Sequence, residues 1–223
     1  MKIRTITAAS LIVLLLAACR NEVHVAVPLS RLGAGDGGEL RGTLLVEVTS
    51  CGEFEDSSKP SNALRKVLDT VPKVFPGAEY RQCVRKSMDS LALFEIPVYI
   101  TRENGEGSTP KDGINLVMTR WGGPSLLLPG PLRKRLDEAR SGVPGGKDIP
   151  VFTLTVTNDT RETRRYRAIA SFIDGRPVVA GSFHLDPGQT VDVKLSDVSA
   201  ATVMAGMTPP VLAAIEETAK QGR

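Results

Sequence analysis

The stretch LALFEIPVYIT, residues 91–101, constrains the fold of this chain more than any other segment. Apolar side chains alternate along it, which is the pattern of a β-strand with one buried face. Pro97 interrupts the run, and because proline cannot donate a backbone hydrogen bond, it predicts an edge position or a bulge. The sequence therefore predicts a sheet whose core-facing row comprises Ala92, Phe94, Ile96, Val98 and Ile100.

Other patterns in the first half predict strands that accompany this one. Val23 to Leu29 and Thr43 to Thr49 read as strands. Residues 103–113 are polar and predict a long hairpin, after which Ile114 to Trp121 returns as a further strand. The segment from Ala78 to Cys83 is expected to be extended.

Two helices are expected between these strands. Ser61 is placed to cap the first, and Pro72 is expected to stop it. The second is a short amphipathic helix over Leu132 to Ala139. The first helix presents an apolar stripe at helical spacing, formed by Leu64, Val67, Leu68 and Val71.

From Pro150 onward the pattern changes to four short strands separated by turn signals. Their rhythm resembles the immunoglobulin-like modules of exported proteins, and it predicts a meander. Val198 to Met207 and Pro210 to Lys220 are then expected to be helical. The predicted class is α+β: a mixed antiparallel sheet with packed helices in residues 19–145, a linker over Ser141 to Asp148, and an immunoglobulin-like or meander β-rich part with C-terminal helices in residues 149–223.

The N-terminus has the composition of an export signal. Lys2 and Arg4 precede an apolar run over Ile6 to Ala18, which is too short to cross a bilayer because a spanning helix needs about 20 apolar residues. The run ends in Leu16-Ala17-Ala18-Cys19, which resembles the lipobox of bacterial lipoproteins. In the body of the chain, the strand–helix–strand unit between Cys51 and Cys83 is similar to small uncharacterised lipoproteins of bacterial and prophage genomes.

That resemblance implies a covalent lipid anchor. Signal peptide 1–18 is expected to be removed, Cys19 to carry a diacylglycerol on its sulfur, and its new amine to be acylated. The residue after the cysteine is Arg20 rather than aspartate. In lipoproteins this favours the outer membrane over the inner one, so we expect a periplasm-facing envelope protein attached to the membrane.

Charge and cysteine content limit the possible functions. The chain has 28 basic and 25 acidic residues, and loss of Lys2 and Arg4 leaves a nearly neutral protein, which argues against nucleic acid as a partner. Cys51 and Cys83 remain after the anchor and predict a disulfide in an oxidising compartment. A catalytic thiol is the alternative, but the two histidines lie far away in sequence.

Two segments are candidates for an interaction patch, and each has a plainer interpretation. Trp121 beside Leu126, Leu127 and Leu128 is either an exposed apolar patch or a loop that covers the core. The basic hairpin binds anionic groups, or it is a solvated edge that discourages strand association. That hairpin carries Arg161, Arg164, Arg165 and Arg167.

No motif in the sequence assigns a catalytic, cofactor or metal site. Residues 33–38 match G-x-G-x-x-G, but a strand rather than a helix follows them, so we expect a flexible loop without a cofactor. The sequence predicts a non-catalytic, lipid-anchored envelope protein. It is expected to contact the membrane through the lipid on Cys19 and to have another envelope protein as its partner. The alternative is a periplasm-facing ligand carrier or envelope enzyme with a pocket between the two halves.

Overall fold

A computed structural model describes residues 21–34, 38–103, 109–141 and 149–215. Within these ranges the fold is mixed α+β and mostly strands, which confirms the predicted class. The signal peptide, Cys19 and residues 142–148 of the predicted linker lie outside the described residues. The strands are β1 Asn21–Pro28, β2 Glu39–Val48, β3 Glu79–Lys86, β4 Asp89–Arg102, β5 Ile114–Met118, β6 Pro124–Leu127, β7 Val151–Thr157, β8 Arg164–Ile173, β9 Arg176–Leu185, β10 Thr190–Leu195 and β11 Leu212–Ala214. The helices are α1 Leu29–Ala34, α2 Asn62–Val74, α3 Gly130–Ser141 and α4 Asp197–Met204.

All eleven strands belong to one curled sheet with the order β11-β8-β10-β7-β1-β2-β4-β5-β6, while β3 pairs with β4 and β9 pairs with β8. Strand β1 lies at its centre, antiparallel to β2 and parallel to β7. A single sheet therefore runs through both of the parts into which the sequence divides the chain.

Along one of its edges, strand β4 pairs with two different strands in succession. Along that edge β3 pairs with β4 as far as Glu95, and β5 begins at Val98. The backbone N–H of Ile100 donates to Gly38 on the β2 side, so by alternation the nitrogen of Pro97 points to the opposite side. Pro97 thus sits where β4 changes partner and no donor is needed.

The hairpin β8–β9 is bent. Strand β8 pairs with β11 through its first half and with β10 through its last residues. Between these halves Ala170 has a φ of 44°, in the left-handed region that L-residues rarely adopt. A simple meander would place β8 beside β7, but β10 lies between them.

Three local expectations are corrected. Strand β5 runs parallel to β4, so the two do not form a hairpin, because hairpin strands are antiparallel. Leu126 and Leu127 lie in β6, which pairs with β5, where a loop was expected. Leu212–Ala214 form strand β11 instead of a helix, because pairing with β8 satisfies their backbone; residues 216–220 of that expected helix are outside the described residues.

The core is formed by the face that the alternating pattern predicts. The predicted row of β4 is at most 1% exposed. Ser61 caps α2 by accepting a hydrogen bond from the Leu64 N–H, as expected. Helix α2 nevertheless continues through Pro72 to Val74, because the Phe75 N–H still donates to the Val71 carbonyl and closes the last turn.

The two ends of the sheet path meet. The Ala214 N–H of β11 donates to the Trp121 carbonyl, which precedes β6, at 2.9 Å. Gly123 makes this approach possible, since a Cβ there would lie 2.0 Å from the Leu212 carbonyl oxygen. Thr119 closes the turn before β6 through its side-chain hydroxyl, which donates to the Gly123 carbonyl.

Gly123→Ala is expected to loosen this junction. The new methyl group would meet backbone atoms that cannot rotate away, and overpacking of this kind costs ~1–3 kcal/mol. Urea unfolding measures the change in the free energy of unfolding. Gly130→Ala is the matched control, since nothing lies within 4 Å of a Cβ at that position. Equal stability of the two variants would contradict the close approach.

Strand directions give the molecule two distinguishable ends. At the proximal end, β1 and β7 begin and β2 and β10 finish, as the pairs Asn21–Val46 and Glu22–Val151 show. At the distal end, β1, β4, β5 and β7 finish. There the Ser30 N–H of α1 donates to a carboxylate oxygen of Asp159, which follows β7, at 2.9 Å.

Candidate functional site

The two cysteines of the described chain form the predicted disulfide. The Cα atoms of Cys51 and Cys83 are 5.7 Å apart. Cys83 lies on β3 opposite Ala92 of β4, and it packs against the core. Cys51 follows β2, on the other side of β4, so the bond ties together the two strands that flank β4. It is a structural cross-link between β2 and β3.

Trp121 is an exposed aromatic residue at the distal end. Its side chain is 55% exposed, and the Arg120 guanidinium carbon lies 5.0 Å from the ring centroid. The Arg120 backbone N–H donates to a Glu103 carboxylate oxygen at 2.7 Å. These contacts fix the turn after β5 and present the indole to solvent, partly covered by a cation.

The arginines of the basic hairpin are all exposed. On β8, Tyr166 and Ala168 are buried, so the alternating Arg165 and Arg167 side chains point to the outer face of the sheet. Arg164 forms an ion pair with Glu162 at 3.0 Å. Arg161 lies just before them, in the connection between β7 and β8.

The fold brings Trp121 and these arginines to one end of the molecule. The Trp121 carbonyl accepts from Ala214 of β11, and Ala214 pairs with Tyr166 of β8. Two strand spacings separate the Trp121 backbone from that of Tyr166, or about 10 Å. The two candidate segments are far apart in the sequence, and strand β11 brings them close together in the fold. We call this surface the distal face; it comprises Trp121, Arg161, Arg164, Arg165 and Arg167.

Beneath the distal face the hairpin is held by a buried polar group. The Asn158 side chain is fully buried and donates to the Leu185 carbonyl at 2.7 Å and to the Glu162 carbonyl at 2.8 Å. Burial raises the pKa of the Tyr166 hydroxyl, and the nearby Arg164 charge opposes that shift. Hydrogen bonds from Ser30 hold the pKa of Asp159 below its usual value. The face is thus built on fixed backbone.

Leu126, Leu127 and Leu128 do not extend the distal face. Leu126 is 0% exposed, Leu128 is 1% exposed, and Leu127 is half-buried. Leu126 lies opposite Leu116 of β5, which is also fully buried. Of the proposed apolar patch, only Trp121 presents a large exposed surface, and the leucines cover the core.

The remaining candidates are dispersed. His24 contacts Glu22 on β1, whereas His184 is exposed on β9 opposite Arg165. Among the described residues no group of three His, Cys, Asp or Glu side chains is arranged to hold a metal ion. A shallow depression of about 430 Å³ is lined by β8 and β9 residues and by the turn between them, within 168–183. It lies on one hairpin and not between the two halves of the chain.

In the part of the chain that the structure describes, no helix is both long and apolar enough to span a bilayer.

Residues 27–219 match the family model described as Domain of unknown function (DUF7424). The chain belongs to the DUF7424 family. The matched range contains the disulfide of this DUF7424 protein and its distal face, whereas Cys19 precedes it. No curated protein and no solved structure is significantly similar to the chain.

Sequence reasoning named the members of the distal face of this DUF7424 protein but missed their convergence and two further contributors. Arg120 carries no pattern of its own and becomes relevant only through its contact with the Trp121 ring. His184 is opposite Arg165 because β9 pairs with β8 in that register. The Asp174-Gly175 turn signal between the two strands predicts the hairpin. Counting equal numbers of residues away from that turn along both strands would have paired Arg165 with His184.

Proposed function

We propose that this DUF7424 protein is a non-catalytic lipoprotein of the bacterial cell envelope, anchored through lipid on Cys19, whose distal face binds another envelope protein. The observation that carries the proposal is the convergence of Trp121 with Arg165 and Arg167 around β11. The resemblance of residues 16–19 to a lipobox supports the anchor. An anchor at the proximal end leaves the distal face turned away from the membrane.

The chemistry of the distal face favours a protein partner with surface carboxylates. Tryptophan and arginine are the side chains most enriched among residues that dominate binding energy at protein interfaces. Guanidinium groups recognise carboxylates through paired hydrogen bonds. Arg165 and Arg167 project from the same face of one strand, so two carboxylates at a similar spacing would match them.

Cys19→Ser is expected to release the protein from the membrane. Without the thiol no thioether to diacylglycerol can form, and two or three acyl chains supply the stable attachment. Fractionation of cells, with separation of inner and outer membranes, measures the change. Wild-type protein should be in the outer-membrane fraction and the variant soluble or unprocessed. Unchanged outer-membrane recovery of the variant would contradict the anchor.

A photo-crosslinking residue in place of Trp121 is expected to capture one discrete partner in intact cells. The same residue in place of Tyr80 is the matched control, because Tyr80 is an exposed aromatic residue on β3, away from the distal face. The product should disappear when Arg165 and Arg167 are both replaced by glutamate, since the charges would then repel acidic groups. Identical products from positions 121 and 80, or a product indifferent to the glutamates, would contradict the proposal.

A further inference from the structure

The most exposed large apolar side chains of the described chain are not on the distal face. Phe54 is 105% exposed, Met88 98%, Val179 88% and Val198 73%. Soluble proteins expose single apolar residues routinely, so the exposure of each one alone needs no explanation. Their distribution needs one, because they come from distant parts of the sequence: two loops, strand β9 and helix α4.

Strand register places Met88 at the proximal end, and Phe54 lies in a loop that begins there. Met88 lies in the turn between β3 and β4, two residues before Ser90. Ser90 pairs with Val48 at the end of β2. Phe54 lies in the loop that continues from β2, three residues after Cys51. Met88 therefore lies past the level at which β1 begins, because Asn21 pairs with Val46. Phe54 lies in the loop that leaves β2 at this same end.

The second half of the chain adds apolar side chains to the same end. Ile149, which is 40% exposed, precedes the start of β7, and β7 begins beside the start of β1. Val198 lies in the first turn of α4, directly after β10. Val179 is at the bend of β9 opposite Ala170, whose carbonyl accepts hydrogen bonds from the Ser196 N–H and the Ser199 hydroxyl.

The chain itself indicates what covers these side chains. Cys19 is two residues before Asn21, and two residues of chain reach at most about 7 Å. A lipid on Cys19 would hold the proximal end at the bilayer surface. Apolar side chains at the same end of the molecule as the anchor are placed to enter the boundary between headgroups and acyl chains.

The charges near Phe54 favour a zwitterionic surface over an anionic one. Glu53 is paired with Arg65 at 2.9 Å, and Asp56 with Lys59 at 3.3 Å. These pairs leave no basic cluster in the Phe54 loop that would need acidic lipid. Insertion of Phe54 would therefore depend on apolar area, and it should occur in zwitterionic phospholipid of no net charge.

We infer that the proximal end is a membrane-contact surface, in which Phe54, Met88, Ile149, Val179 and Val198 insert into the lipid interface beside the anchor. The inference rests on the proposed lipidation of Cys19. It gives the protein a fixed orientation in which the disulfide-linked end faces the bilayer and the distal face is presented to its partner.

Tryptophan quenching in vesicles tests this orientation. The chain contains a single tryptophan, Trp121, so Phe54→Trp and Met88→Trp in a Trp121→Phe background each report one proximal position. The lipidated protein is reconstituted into phosphatidylcholine vesicles with brominated acyl chains. Each proximal tryptophan is expected to lose about half its fluorescence, since interfacial side chains lie ~5–10 Å into the headgroup–acyl boundary. Trp121 in the wild-type protein is the matched control and should keep its fluorescence.

The possible outcomes separate the anchor from the contact surface. Protein that does not float with the vesicles would overturn the proposed lipid anchor and the inference with it. Protein that floats while the tryptophans at positions 54 and 88 stay unquenched would overturn the contact surface alone. Quenching of Trp121 would also overturn it, because the distal end would then be the one in the membrane.

Discussion

Loss of the Cys51–Cys83 disulfide is expected to lower the free energy of unfolding by roughly 3–4 kcal/mol. The two cysteines are 32 residues apart in sequence, and the bond removes the corresponding loop-closure entropy from the unfolded chain. Urea unfolding of a Cys51→Ala, Cys83→Ala double variant measures the difference from wild type. Reductant should bring the wild-type protein to the stability of the variant.

The position of the disulfide predicts which strand is destabilised first when the bond is lost. In the described part of the chain β3 pairs with β4, and its Tyr80 is 40% exposed, whereas β4 is flanked on both sides. Amide hydrogen exchange should therefore accelerate more in β3 than in β4 when the bond is reduced. The double variant is the control, because reductant should leave its unfolding and its exchange unchanged. A wild-type midpoint that ignores reductant would contradict the prediction.

Local patterns in the sequence predicted which residues face the core. Ala92, Phe94 and Ile96 are buried as the two-residue period requires, and Ser61 caps α2 because its hydroxyl accepts from the helix N-terminus. Such signals lie within a few residues of the feature that they specify. They determine side-chain direction and helix starts whatever the rest of the fold does.

Strand partners were not predictable in the same way. Periodicity tells which face of β1 is buried, but its parallel neighbour β7 lies about 130 residues away, as the Glu22–Val151 pair shows. Leu212–Ala214 have helix-favouring composition and become a strand through pairing with β8. No glycine marks the bend in the sequence, although the φ of Ala170 is 44°, in the region that favours glycine. Long-range pairing decides all three.

The candidate site shares this limit. Trp121 and the arginines could be chosen from residue chemistry alone, yet their proximity depends on β11, which composition had assigned to a helix. Conversely, the three consecutive leucines left two interpretations open, an exposed patch or a loop that covers the core, because the sequence does not show their partner strand. Pairing of β6 with β5 determines that Leu126 belongs to the core, since it places that residue opposite Leu116.

Leu126→Ala is expected to lower the free energy of unfolding by ~2–5 kcal/mol, the range for truncating a fully buried leucine. Leu126 is 0% exposed, and its opposite residue Leu116 is too, so no side chain at the surface can refill the cavity. Leu127→Ala removes the same atoms one residue along the strand and is the matched control; because Leu127 is half-buried on the alternate face, its cost should be clearly smaller. Urea unfolding of both variants gives the two values. If Leu126 belonged to an exposed binding patch, both substitutions would leave stability within about 0.5 kcal/mol of wild type. That outcome would place the leucines in an exposed patch beside Trp121 and contradict the register of β6.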